Sequence, residues 1–303
     1  MKVSIIIPTF NSAPYIGDAL ESIRKQNYSH IEVIIIDNKS EDETLKICNT
    51  YIGLLEIKIF SESDNGQLDA VRKGLKIASG DTIMWLNSDD FILPSCFTRA
   101  SRYIDAGYDY VYSDALWCDE KVHKCGYQNP VRFINFWEYF RGYRQIQVEC
   151  LIFKKSILDT SREININYRL YTDFSVWLGI IKRGKGIWMP EPMGCFRIRS
   201  GQISASSNQF KSEKDQIILE HLNDLKLSSK NLDIALKGQR FSSLACSSYQ
   251  KIKKLNSLLL RLLFFGLNRR RLANIIREKW LSPESTCGDF SSYFMIFGHK
   301  FYY

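Results

Sequence analysis

Long apolar runs are missing from this chain of 303 residues. None approaches the ~20 consecutive apolar residues of a membrane-crossing helix. The opening Met1-Lys2 leads into Val3-Ser4-Ile5-Ile6-Ile7 and then Pro8, too short for the core of a secretory signal. Cysteine stands at eight positions (48, 96, 118, 125, 150, 195, 246 and 287) without the spacing of a disulfide framework. Scattered cysteines fit reduced thiols, so a cytoplasmic protein is expected. Two glycine signatures are absent as well: no G-x-G-x-x-G follows the first apolar run, and no G-x-x-x-x-G-K-[ST] occurs. Their absence argues against a dinucleotide oxidoreductase and a P-loop ATPase. An excess of acid is lacking too. The net charge of +8 points to an anionic partner: phosphates, a nucleic acid or a membrane surface. What remains, 45% hydrophobic and 24% charged, is ordinary globular composition with material for a real core.

The stretch that organises the chain runs from Asp81 to Asp90. After the Gly80-Asp81 turn signal come Thr82-Ile83-Met84-Trp85-Leu86, and the run then stops on Asn87-Ser88-Asp89-Asp90. A short apolar run bounded by turn residues reads as a buried parallel strand, and parallel sheets bind ligands outside the carboxyl ends of their strands. Neither Lys nor Arg lies within four residues of Asp89-Asp90 on either side. The two carboxylates therefore repel unless neutralised, most simply by a hard divalent cation that shares its oxygen ligands with phosphate. The competing reading is that these residues only cap the next helix.

Upstream, strands are expected at Val3 to Ile7, Ile31 to Ile36 and Leu55 to Phe60. Helices are expected from Asn11 or Ser12 to about Asn27, from Glu41 to about Tyr51, and from Gln67 to Ala78. Strand and helix alternate with short connections, which predicts a doubly wound α/β sheet. The strands close on polar residues: Thr9-Phe10-Asn11, Asp37-Asn38, Asp64 with Gly66, and Asp89-Asp90. Four such ends converge on one crevice and argue for a nucleotide-binding cleft whose diphosphate is held by a metal instead of a glycine loop.

Val3 to Asn11, Glu32 to Asp42, Asn65-Gly66-Gln67-Leu68-Asp69-Ala70-Val71-Arg72-Lys73-Gly74 and Gly80 to Asp90 together resemble, in order and spacing, the successive blocks of family 2 glycosyltransferases. The resemblance covers roughly the first 205 residues and implies a GT-A fold, a Rossmann-like doubly wound mixed sheet, followed by a helical extension. It implies inverting sugar transfer from a nucleotide diphosphate donor, a UDP-sugar foremost, with Mn2+ or Mg2+ on the diphosphate. Thr9 and Asp37 would bracket the base, with Asn11, Asn38 and Gly66 nearby, and Asp69 and Arg72 near the base or phosphates. Asn87 and Asp89 occupy the outer positions of the family's Asp-x-Asp motif, making Asp89 the expected metal ligand, with Ser88 between them and Asp90 a secondary candidate. Asn87 departs from the usual first Asp, and Arg72 stands where many members carry Asn.

Beyond Asp90, a helix is expected from Pro94 to Ala106, a strand from Tyr108 to Ala115 and a polar hairpin from Trp117 to Tyr127. Cys118, His123 and Cys125 within it match no common zinc spacing. The aromatic segment Phe133 to Arg144 suits either helix packing or sugar faces. Gln145 to Ser156 resembles a family block that borders the acceptor, which makes Glu149 a candidate. Tyr168 to Leu178 resembles the acidic block, where Asp173 would be the catalytic base that takes the acceptor's proton, with Trp177 packed beside it; plain N-capping by Asp173 is the competing reading. Phe196 to Ser204 matches the closing loop, with Arg199 in place of the usual His. Arg197 or Arg199 would contact the diphosphate, or else both are solvated.

The expected division is a catalytic domain over 1–205 and a helical, basic region over 206–303, with a helix from Gln209 to Leu225. Lys251 to Trp280 carries nine Lys or Arg residues against one Glu, so the net basicity belongs to the tail. With Leu258 to Phe265 between its basic clusters, this segment suits docking on an anionic membrane surface or packing on the catalytic domain. No nucleic-acid motif accompanies the charge. The reading is a transferase of cell-surface polysaccharide synthesis, acting on a glycan or lipid-linked acceptor at the cytoplasmic face. Its rivals are a polyprenyl-phosphate sugar synthase and a catalytically degenerate membrane-docked scaffold.

Overall fold

The computed structural model describes residues 1–127, 145–158, 160, 164, 168, 170–202, 213, 216, 217 and 220. The aromatic segment 133–144 and the basic tail 251–280 lie outside these. Strands β1 (Val3–Thr9) and β2 (Ile31–Asp37) are buried at every residue, as expected for strands covered on both faces. They pair in parallel with β3 (Ile57–Ser61) and β4 (Thr82–Trp85) on their outer sides. Leu86 continues past β4 and donates its amide to Ile6 O at 3.0 Å. The register sets Thr9 opposite Asp37 and Ile6 opposite Trp85, so the polar strand ends come out at one edge.

Helix α1 (Ile16–Arg24) is shorter than its periodicity suggests. Ser12 O accepts from the amides of Tyr15 and Ile16 at 2.9 Å, closing a turn ahead of the helix. Pro14 therefore precedes α1. Helix α2 (Thr44–Asn49) starts late for a related reason: Asp42 spends its carboxylate on the Ala13 and Thr44 amides at 3.0 Å, tying two loops together. Helix α3 (Gln67–Ile77) matches expectation to one residue.

At the far end of the sheet from Thr9, Glu32 is fully buried on an apolar strand. It accepts from Ser4 Oγ at 2.5 Å, Lys58 Nζ at 2.8 Å and Ser79 N at 2.6 Å. Burial opposes its ionisation, but these partners outweigh it and hold the carboxyl down at about 2. Gly80 closes against this group, where a Cβ would lie 2.6 Å from Ser4 Oγ.

The second half completes the sheet. Strands β5 (Phe91–Ile92), β6 (Tyr110–Ser113), β7 (Leu116–Asp119), β8 (Cys125–Tyr127), β9 (Leu151–Lys154), β10 (Gly186–Met189) and β11 (Gly194–Ile198) join helices α4 (Cys96–Asp105) and α5 (Thr172–Arg183). The large sheet has seven strands in the order β10-β6-β9-β4-β1-β2-β3. In it β9 runs antiparallel to both neighbours, which makes the sheet mixed. A four-stranded sheet, β5-β11-β7-β8, carries the expected hairpin. Past residue 202, Ile217 is buried in the main core and Glu213 accepts the amides of Leu170 and Tyr171 at 2.8 and 2.7 Å, so these positions pack against the first body.

Candidate active site

A cleft of about 730 Å³ opens where the ends of β1, β2 and β4 meet the starts of α3 and α5. Thr9, Asn38, Gly66, Asn87, Ser88, Asp89, Asp173 and Arg199 all line it. Three segments hold the wall around Thr9. The Asn38 amide donates to Thr9 O at 2.9 Å, and Asn38 Oδ1 accepts from Asp64 N at 2.9 Å. Gly66 stands at φ 104, a left-handed value natural to glycine, and donates its amide to Asp64 Oδ1 at 2.7 Å as the chain enters α3. Ser88 and Ser12 share a hydroxyl hydrogen bond of 2.8 Å that ties the β4 end to the β1 loop.

Other expected residues lie behind or beside the cleft. Asp37 is fully buried and spends its carboxylate on Ser40 N at 3.0 Å, Ser61 Oγ at 2.6 Å and the Ser40 hydroxyl; it is not on the wall. Asn11, at φ 43, braces the neighbouring loop by accepting from Glu41 N at 3.0 Å. Asp69 accepts from Arg72 at 2.6 Å and from Asn65 N at 3.1 Å. Burial opposes that carboxylate, yet the Asn65 amide and the Arg72 guanidinium hold its pKa below the usual range. Trp177 is a core residue, wholly buried and edge-on to Trp85 and Phe153 at 5.8 and 6.0 Å, so it packs the sheet and is not on the cleft wall.

The acidic floor differs from its linear appearance, because the missing cations arrive from β11 and the residue just past its end. Arg199 Nε donates to Asp89 Oδ2 at 2.7 Å. Arg197 is 2% exposed, so it is neither a solvated loop residue nor part of the cleft wall. Its backbone amide donates to Asp90 Oδ1 at 2.8 Å and its Nε to Asp89 O at 2.7 Å. The rest of its guanidinium reaches Glu120 O at 2.7 Å and Asp18 Oδ2 at 2.6 Å. With every edge of the fork engaged, Arg197 clamps the loop after β4.

Asp90 and Glu149 are both fully buried. Burial, then the charges of Glu149 and Asp89, push the Asp90 carboxyl well above its usual range. Among the described residues the two side-chain oxygens of Glu149 meet no hydrogen-bond partner. Burial, reinforced by Asp89 and Asp173, raises its pKa to about 8. Gly194 makes room for it, since a Cβ there would lie 2.3 Å from Glu149 Cγ. Asp173, in the first turn of α5, keeps a partly open position on the wall. Its Oδ1 accepts from the Phe174 amide at 2.8 Å, and burial raises its pKa to about 6.

Among the described residues no group of three or more His, Cys, Asp or Glu side chains is arranged to hold a metal, the hairpin cysteines included. Asn87 Oδ1 is already taken by Gln67 Nε2 at 2.8 Å and Trp85 Nε1 at 3.2 Å. What fits is a cation held through Asp89 alone, because Mg2+ is commonly bound through one or two carboxylates plus substrate phosphates and water.

Gln67 is the functional residue that sequence reasoning passed over. It donates to Asn87, and its Oε1 accepts from Thr172 Oγ1 at 3.1 Å, so it joins α3, the β4 end and α5 across the cleft. Its place directly after Gly66, at the start of a helix that follows a strand end, was the signal that marks it. Tyr171, Thr172, Gln145 and Gln147 complete the wall opposite Thr9.

The family model described as Glycosyl transferase family 2 matches residues 4–160, just over half of the chain. A Haemophilus influenzae protein described only as a glycosyltransferase is 26% identical over 213 residues, covering 69% of this chain and 84% of that one. The Staphylococcus aureus poly(ribitol-phosphate) β-N-acetylglucosaminyltransferase TarS is 36% identical over 109 residues, 35% of this chain and 19% of that much longer one. A TarS 1-349 crystal structure in complex with UDP-GlcNAc superposes with a TM-score of 0.62 at 21% identity, covering 80% of this chain and 73% of that one. A Pyrobaculum calidifontis mannosyltransferase in complex with GDP-Man and Mn2+ gives a TM-score of 0.52 at 15% identity, covering 92% and 87%. Identities this low carry the GT-A fold and nothing finer.

Proposed function

The chain belongs to glycosyl transferase family 2, and on that premise we propose that this glycosyltransferase moves a sugar, with inversion, from a nucleotide diphosphate donor to a hydroxyl of a cell-surface glycan or lipid-linked acceptor. The carrying observation is that Asp89 and Asp173, 84 positions apart, line one cleft with the polar ends of β1, β2 and β4. Thr9, Asn38 and Gly66 receive the nucleoside, and UDP is the favoured donor nucleotide because TarS, a relative, is described in complex with UDP-GlcNAc. Asn87 and Ser88 lie beside the ribose and phosphates, with Arg199 supplying positive charge to the diphosphate. Asp37, Asn11, Asp69 and Arg72 act indirectly, by shaping the loops that carry those contacts. Asp89 is the residue that would hold Mg2+ or Mn2+; the chemistry such an ion supplies when bound is neutralisation of the departing diphosphate. Asp173 takes the proton of the acceptor hydroxyl as it attacks the anomeric carbon. Its carboxylate is raised towards neutral pH by burial, which suits a base working near pH 7.

The tail beyond residue 205 serves acceptor or membrane docking through its basic, leucine-rich segment. No helix of the described residues is long and apolar enough to cross a bilayer. Flotation with anionic liposomes checks this: the full chain should float and a chain ending at Gln250 should not. The enzymatic proposal is tested by thermal-shift and transfer assays across nucleotide sugars with and without Mn2+. A UDP-dependent shift that grows with Mn2+ is expected. No shift and no turnover with any donor would sink it.

A further inference from the structure

Three cysteines meet in the four-stranded sheet. Cys118 of β7, Cys125 of β8 and Cys195 of β11 are each free and fully buried, clustered with Phe91, Leu93, Leu116 and Val122. All three thiols belong to one buried cluster. Strand register decides which pair can join. Cys118 stands directly opposite Cys125 in the antiparallel β7–β8 ladder. The adjacent pair is the hydrogen-bonded one, with Asp119 N donating to Lys124 O at 2.9 Å. Cys118 and Cys125 are therefore a non-hydrogen-bonded pair, whose Cα atoms stand about 4.5 Å apart, inside the roughly 4.4–6.8 Å that a disulfide spans. Cys195 instead lies opposite Leu116, two residues out of step. That diagonal is about 7–8 Å, beyond the reach of a bridge without backbone movement.

The geometry points to Cys118 and Cys125 as a dithiol that closes reversibly to a disulfide on meeting a small-molecule disulfide oxidant. Cys118 is the attacking sulfur. The neighbouring Cys125 and Cys195 thiols hold its thiol well below the usual range against the opposing effect of burial, with the buried Arg197 guanidinium adding to this. Cys125 is pushed the other way by the adjacent Cys118 and by burial. Cys118 displaces one thiolate from the oxidant, forming a mixed disulfide. Cys125 then attacks the Cys118 sulfur and expels the second thiolate. One S–S bond breaks in the oxidant and one forms in the protein. Two electrons pass to the oxidant, and both cysteine protons end on the two released thiols. Access comes from the edge: among the described strands β8 is outermost in its sheet. The turn that joins it to β7 holds Val122 at φ 55, a costly conformation for a β-branched residue.

The test treats the folded full-length chain with dithiodipyridine, alkylates what remains and digests with trypsin, which cuts after Lys121 and Lys124 between the two cysteines. The expected result is a joined peptide pair carrying Cys118 and Cys125, lost on adding dithiothreitol. It persists in Cys195→Ser and disappears in Cys125→Ser. Recovery of both residues as alkylated thiols, or a link from Cys118 to Cys195, would overturn the inference. The wild-type peptide map alone decides between these outcomes, whatever the variants do to folding.

Discussion

Arg199 Nε donates to Asp89 Oδ2 at 2.7 Å, joining residues 110 positions apart on the wall of one cleft. Asp89 thus carries its own counter-charge, and both side chains line the cleft.

Arg199→Ala should weaken UDP binding roughly tenfold, the loss of one charge-assisted hydrogen bond, measured by titration calorimetry with Mn2+ present. Asp89→Asn should lower kcat by about 10²–10³-fold, as for removal of one electrostatic stabiliser, with the melting temperature little changed. Unaltered UDP affinity in Arg199→Ala would remove Arg199 from the diphosphate.

Asp173→Asn should separate activity from stability. Loss of the base lowers kcat by about 10²–10⁴-fold. The folded chain keeps the Asp173 proton up to about pH 6, against an ordinary 3.8. Between those values the native state binds more protons than the unfolded state, so stability falls as pH rises. At pH 7 the Asn variant, free of that penalty, should be more stable by about 1–2 kcal/mol after discounting for partial exposure. In wild type, kcat/KM should climb with pH through about 6. A variant that loses both activity and stability would point to a structural role for Asp173 through the Phe174 amide it accepts.

Glu149→Gln addresses the orphaned carboxyl. Glu149 is raised from 4.5 to about 8 by burial, so its contribution is whole below pH 4.5 and is lost as pH rises through 8. Wild type should lose denaturant stability across that window, and Glu149→Gln should decline less steeply. Parallel urea titrations at pH 6 and pH 9 decide it; identical slopes would mean that Glu149 already sits ionised.

Trp177→Phe should leave the KM for donor and acceptor unchanged while lowering stability, and Trp177→Ala should cost about 3–5 kcal/mol. Chemical denaturation and steady-state kinetics on the folded Phe variant separate packing from sugar contact. A KM that rises with stability intact would return Trp177 to the site.

The first four strands, α3 and the polar strand ends were legible because each signal is local. A buried parallel strand is a short apolar run, and its ligand end is the polar residue that stops it. Helix starts were read less well at α1 and α2, where Ser12, Asp42 and Thr44 give their hydrogen bonds to neighbouring loops and delay the first turn. Asp37 shows the same limit at the site. Its place at the end of β2 was plain, but Ser61 arrives from β3 to take its carboxylate.

By itself the sequence determined the α/β alternation, the family blocks and the strand-end acids, since period and turn chemistry are carried by adjacent residues. Only the folded chain decided how those acids are balanced. Arg197 lies in β11 and Arg199 just past its end, and the antiparallel pairing of β11 with β5 carries them to the loop after β4. A carboxylate's ionisation depends on burial and on charges a few ångströms away, whatever their distance along the chain.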